Sequence, residues 1–189
     1  MDPSENVLGN FSKGPFDDFK RGDAPEEGVV EEILGALGSL RRNQWIVELG
    51  YGDRPKFASF AAEHEFNVLL VRHDAEPSDV RGIETARDIE SCVFPADPAV
   101  VSFFDDAHDA WKRSDARPLV VVARIDPDVP PGVSGPTTFT GMVELGAAKG
   151  YVPVCHADGL VFVRDDVVKR LSIPTVNFRN PARLFDYKK

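Results

Sequence analysis

Two groups of residues in this 189-residue chain have the types and spacing of a working site. The first is Glu48, Gly50, Gly52 and Asp53, in the run QWIVELGYGD from Gln44 to Asp53, where an apolar stretch ends in two glycines and an acid. Glycine lets the backbone turn sharply and approach a ligand with no Cβ in the way, and carboxylates beside it can accept hydrogen bonds. The second is Asp105, Asp106, His108 and Asp109, which follow another apolar run, AVVSFF. Carboxylates with a histidine can do acid–base work or bind a hard cation. Acids at a strand-to-helix junction are also what the free N–H groups of a helix start prefer. Helix capping explains them without a metal, and no metal ion is expected.

The elements around these groups decide what they can reach. Trp45, Ile46, Val47 and Leu49 predict a buried parallel strand; Pro55 suits a first helical turn, and Phe57, Phe60, Ala61 and His64 recur at helical spacing. Strand, glycine turn and helix form the unit with which many α/β proteins hold a nucleotide at the carboxyl ends of their strands. A tight turn with no ligand would use the same residues. His64 reads as bordering the helix's packed face. A second buried strand is predicted over NVLLVRH, Asn67 to His73, with a right-handed crossover before it. In such folds an acid at the end of this strand accepts hydrogen bonds from ribose hydroxyls. Here Arg72 occupies that place, and Asp74, on the same face, would act one pleat late.

Between Asp74 and Pro98 the pattern suggests a helical turn around Val80 to Ala86 and a short strand over Ile89 to Phe94. Ala99 to Phe104 predicts another strand, and PLVVVARI, Pro118 to Ile125, a central one buried on both faces. Asp126 to Thr138 carries four of the 15 prolines, so it must be an extended loop, placed to wall a pocket. Phe139, Met142, Val143 and Gly146 space a helix that Gly150 can end. Val152 and Val154, then Leu160, Phe162 and Val163, signal a hairpin with about four connecting residues, so the sheet ends antiparallel. Upstream, Asp23 and Glu26 have capping-box spacing, and Val29, Val30, Ile33, Leu34 and Leu37 form the stripe of a helix that Gly38 ends. The expected organisation is an irregular arm over 1–22, an α/β domain over 23–171 and a tail over 172–189 packed on it.

A chain of this length suits one well-buried domain. Its net charge of −9, with no basic run, argues against nucleic acid. Cys92 and Cys155 are far apart and form neither a disulfide framework nor a zinc pattern, which fits a reducing cytoplasm. No apolar run approaches the ~20 residues of a membrane span, and the start has no apolar leader pattern.

The pattern E-x-G-x-G-D departs from the dinucleotide fingerprint, since Arg54 and Pro55 follow where a third glycine is expected. It resembles instead the first motif of S-adenosylmethionine-dependent methyltransferases. The strand layout resembles their class I, Rossmann-like fold, mostly parallel with a final antiparallel hairpin. Three segments are similar to the FkbM-type methyltransferases. They are Glu26 to Asp53; Val100 to Trp111 with Arg117 to Pro130; and Met142 to Val167, where a helix, Lys-Gly-Tyr and Phe-Val-Arg-Asp follow in order. The resemblance implies S-adenosylmethionine as cofactor, held by Glu48, Gly50, Gly52 and Asp53, with Asp74 standing in for the acid that Arg72 replaces. It also implies that Asp105 or His108 orients or deprotonates the acceptor. Arg54 in place of a glycine, and a fourth-strand motif shortened to Asp105 and Asp106, depart from the family pattern.

Two functions follow. One is methyl transfer to a hydroxyl of a small metabolite or glycan. The other is a methyltransferase-like module that has lost its cofactor and binds a protein partner, a homodimer being possible. A nicotinamide-dependent oxidoreductase fits less well, because its fingerprint is absent.

Overall fold

Short apolar runs without polar alternation leave no face for water, so they must lie in a sheet covered on both sides. The computed structural model describes residues 25–39, 44–50, 56–72, 82–88, 94–104, 106–126, 128–130, 132–156 and 159–171. In these, β1 (Trp45–Leu49), β2 (Asn67–Val71), β3 (Ile83–Ala86), β4 (Val100–Phe103), β5 (Val120–Arg124), β6 (Tyr151–His156) and β7 (Gly159–Arg164) form one sheet, in the order β3-β2-β1-β4-β5-β7-β6. The first five are parallel, and β7 runs antiparallel between β5 and β6. The chain builds outward from β1 on one side and from β4 on the other. The switch point of the topology therefore lies between β1 and β4, with Glu48 level with Ser102.

Side chains alternate between two apolar layers, as a period of two requires. Ile46, Val68, Val100 and Val120 face α1 (Pro25–Ala36), Phe57 and Phe60 at the N-cap and within α2 (Ala58–Glu63), and Val167 and Val168 of α5 (Asp165–Val168). Their neighbours Val47, Leu69, Val101 and Val121 face α3 (Ala107–Arg113) and α4 (Phe139–Ala148). Val47 and Val121 are fully buried, as the unbroken apolar runs predict. Helix α1 ends as expected: Gly38 takes φ +64°, and the Ser39 N–H reaches the Leu34 carbonyl at 2.8 Å. Among the described residues no helix is long and apolar enough to cross a membrane.

The middle of the chain departs from expectation. Ile83–Ala86 is a strand where a helical turn was expected, and it pairs in parallel with β2. β-branched Ile83 and Thr85 suit an extended backbone, and Gly82 turns into it at φ +84°. Because β3 is half-exposed, its run carries little apolar signal. Of the strand expected over Ile89 to Phe94, Phe94 is outside any strand and the rest lies outside the described residues. The hairpin connection is also tighter than expected, since Gly159 already belongs to β7. The arm over 1–22, Asp23 and the tail over 172–189 lie outside the described residues. At the far side of the sheet, β6 carries Pro153, and its register against β7 shifts between Pro153 and Cys155.

One glycine holds the loop between β5 and α4. The Thr138 hydroxyl caps α4, accepting the Gly141 N–H at 3.0 Å and donating to the Gly135 carbonyl at 3.0 Å. A Cβ on Gly141 would run into that same carbonyl and lie 3.3 Å from Thr138 Oγ1. Glycine to alanine inside a helix ordinarily stabilises by about 1 kcal/mol. Here the obstacle is backbone, so Gly141→Ala is expected to lose about 1–3 kcal/mol net. Urea unfolding checks this, and an unchanged or raised midpoint would show that the loop yields freely.

Candidate cofactor and acceptor site

Glu48 is a carboxylate on a buried strand, and its surroundings show why it is tolerated. It is 6% exposed, and its two oxygens accept the backbone N–H groups of Phe57 and Lys56, each at 2.8 Å. Burial pushes its pKa up, while these two bonds and the Lys56 charge oppose the shift. The side chain thus spans the glycine turn, tying the end of β1 to the start of α2. Both oxygens are engaged, so Glu48 shapes the turn rather than reaching out of it. Gly50 opens the turn at φ +134°, and its N–H reaches the Val71 carbonyl at 3.2 Å. Gly52, Asp53, Asp74 and Asp105, expected as site residues, lie outside the described residues. His64, at the C-cap of α2, borders its packed face as expected, with its ring 4.7 Å from that of Phe60 and Nε2 3.3 Å from Glu31.

Lys56, where the chain leaves the turn, links three elements. Its ammonium donates to Glu26 Oε1 at 2.7 Å and lies 5.1 Å from the centre of the Phe104 ring, just beyond β4. Glu26 is wholly buried, and its Oε2 has no hydrogen-bond partner among the described residues. Its carboxylate faces Lys56, while Asp23, its expected partner in a capping box, lies outside the described residues. A signal was present in the sequence. Glu26 precedes Val29 and Val30 by three and four residues, which places an acid on the apolar stripe of α1.

A pocket of about 310 Å³ opens at the carboxyl ends of β4 and β5, lined by Phe104, Asp106, Ala107, Arg124, Ile125, Asp126 and Thr137. The proline-rich loop supplies one wall, as expected, anchored by the Asp126 N–H on the Thr137 carbonyl at 2.8 Å. Arg124 ends β5 exposed and makes no ion pair among the described residues. Sequence reasoning missed it, because a single Arg at the end of an apolar run reads as an ordinary strand end. Asp106 stands at the N-cap of α3 without a side-chain cap bond, which corrects the capping expectation there. A capping residue takes an extended backbone, whereas Asp106 is left-handed at φ +47°. His108 is half-buried in the first turn of α3, adjoining Ala107 but outside the lining. Its Nδ1 lies 3.1 Å from Asp109 Oδ1, and this contact holds the Asp109 carboxyl below its usual range. Among the described residues no His, Cys, Asp and Glu side chains gather as a metal site requires.

No family model matches the sequence, and no curated protein matches it. Among solved structures, the chain is similar to the 1,6-didemethyltoxoflavin-N1-methyltransferase of Burkholderia thailandensis, which holds 1,6-didemethyltoxoflavin and S-adenosylhomocysteine. The TM-score is 0.50 and the identity 16%, over 78% of this chain and 79% of that one. This is the class I methyltransferase fold. The magnesium protoporphyrin IX methyltransferase of Synechocystis PCC 6803 is more distant, with a TM-score of 0.45 and 10% identity over 84% of this chain and 88% of that one. So is the cyclopropane synthase MmaA2 of Mycobacterium tuberculosis, with a TM-score of 0.43 and 17% identity over 76% of this chain and 67% of that one. Neither adds to the fold assignment.

Ligands of open α/β sheets bind outside the carboxyl ends of the strands at the switch point, here where Glu48, Lys56 and Phe104 meet. The residues present fit S-adenosylmethionine in one respect: Glu26 Oε2, beside the Lys56 ammonium, is a buried acceptor with no donor among the described residues, suited to a ligand that brings N–H groups. At the end of β2 the fit is poorer. Arg72, whose backbone N–H bonds the Ala86 carbonyl at 2.8 Å, stands where such folds carry an acid for the ribose hydroxyls.

Proposed function

We propose that the protein is an S-adenosylmethionine-dependent methyltransferase, a shortened relative of the FkbM type, that methylates a hydroxyl of a small metabolite or glycan. The observation that carries this reading is the glycine turn, clamped by Glu48 at the switch point and adjoining a pocket large enough for a small acceptor. Bound S-adenosylmethionine supplies an electrophilic methyl group. The chain's task is then alignment, since an in-line displacement gains most from holding its two partners in place. Glu48 shapes the turn, Gly50 lets the ligand approach, and Gly52, Asp53 and Asp74 are proposed to complete the cofactor site. On the acceptor side Asp105 and His108 are proposed to orient the hydroxyl and take its proton. The Asp109 carboxylate at Nδ1 favours the tautomer with hydrogen there, leaving the His108 Nε2 lone pair as a base.

Arg72 supports the second reading, a cofactor-free binding module, because a donor at the ribose position weakens adenosine binding. Calorimetric titration with S-adenosylmethionine and S-adenosylhomocysteine separates the two. Weak but measurable binding is expected, strengthened in Arg72→Glu, which restores the ribose acceptor. A folded wild type that binds neither ligand at millimolar concentration leaves only the module.

A further inference from the structure

We infer that Glu26 is the residue that receives the α-ammonium group of the cofactor's amino-acid end, an assignment that rests on the methyltransferase reading above. The Glu26 side chain is wholly buried on the apolar face of α1, a place where an acid persists only if its charge is matched. Lys56 matches half of it: its ammonium holds Oε1 at 2.7 Å, while Oε2 has no hydrogen-bond partner among the described residues. A buried carboxylate oxygen without a donor is destabilising, and a cationic N–H group arriving with a ligand would relieve it through a charge-assisted bond.

Position selects which end of the ligand arrives. Ribose hydroxyls belong at the end of β2, on one side of β1. The Lys56 ammonium beside Glu26 lies over the Phe104 ring, beyond β4 on the other side of β1, and Phe104 lines the acceptor pocket. A ligand with its ribose near β2 and its reactive centre facing that pocket therefore brings its amino-acid end, rather than its sugar, toward Glu26. The end of β1 is held close by, since the Lys56 N–H is bound to Glu48.

The test is calorimetric titration of wild type and Glu26→Gln with two ligands, S-adenosylhomocysteine and 5′-methylthioadenosine. The second keeps the adenosine and thioether but lacks the amino-acid end. Glutamine keeps the shape and an acceptor for Lys56 while removing the charge. Glu26→Gln is expected to bind S-adenosylhomocysteine about 10- to 100-fold more weakly, with 5′-methylthioadenosine unchanged. Equal binding of S-adenosylhomocysteine by both proteins, or an equal loss for both ligands, overturns the assignment but leaves the methyltransferase reading standing. A wild type that binds neither ligand removes both. Should Glu26→Gln fail to fold, S-adenosylhomocysteine lacking its α-amino group serves on the wild type. The same loss is expected, and undiminished affinity for that analogue overturns the assignment.

Discussion

Trp111→Ala is expected to lose about 3–5 kcal/mol of stability in urea unfolding, the range for emptying a large aromatic site in a packed core. Trp111 is 1% exposed at the centre of the layer between the sheet and helices α3 and α4. Its ring stacks on Phe103 at 6.1 Å, meets the Tyr151 edge at 5.6 Å and tilts against Phe162 at 4.9 Å. These neighbours belong to three strands, and strands held by ladder bonds cannot close in on a void. The Gly146 face of α4 is already in contact: a Cβ there would lie 2.7 Å from Phe162 and 3.3 Å from Trp111. A loss under about 1 kcal/mol would mean that the layer collapses, contrary to close packing. The effect should also reach the pocket, because α3 begins with two of its lining residues, Asp106 and Ala107.

The second large effect is on binding. Gly50→Val is expected to abolish binding of S-adenosylmethionine and S-adenosylhomocysteine. At φ +134° an L residue is strained, and a β-branched one most of all, at about 1–3 kcal/mol. That strain would pull on the Gly50 N–H bond to Val71 and so on the spacing between β1 and β2. The added side chain would also stand between the backbone and any ligand lying against it. Titration together with a thermal melt separates the two contributions. A variant that binds like the wild type would show that the ligand does not approach this turn.

The sequence was legible where one physical cause dominated. The runs at Trp45, Val100 and Val120 are apolar because both faces of the sheet are covered, and each is the strand its pattern predicts. The hairpin of β6 and β7 was legible for the same reason, and with it the mixed sheet. β3 was not, since an edge strand with half its surface in water carries polar residues that read like a turn. The site was legible as a turn and less so as chemistry. Glu48 and Gly50 announce themselves by spacing, but the engagement of Glu48 with two backbone N–H groups depends on how α2 starts. Glu26 pairs with Lys56 across 30 residues of chain, a distance over which local patterning carries no information. The local rule for an acid three residues after Asp23 points only to a helix cap and is silent about Lys56.

Pro153 and the register shift beside it lie on β6, the outermost described strand on its side of the sheet. A rim strand offers unpaired backbone groups, and an extended segment of another molecule can dock along it to continue the ladder. Proline contributes no N–H to such a ladder, and the irregularity next to it breaks the even spacing that an incoming strand would need. Both features fall near the middle of β6. Among the described residues this border is poorly suited to fibril-like growth or to pairing edge to edge.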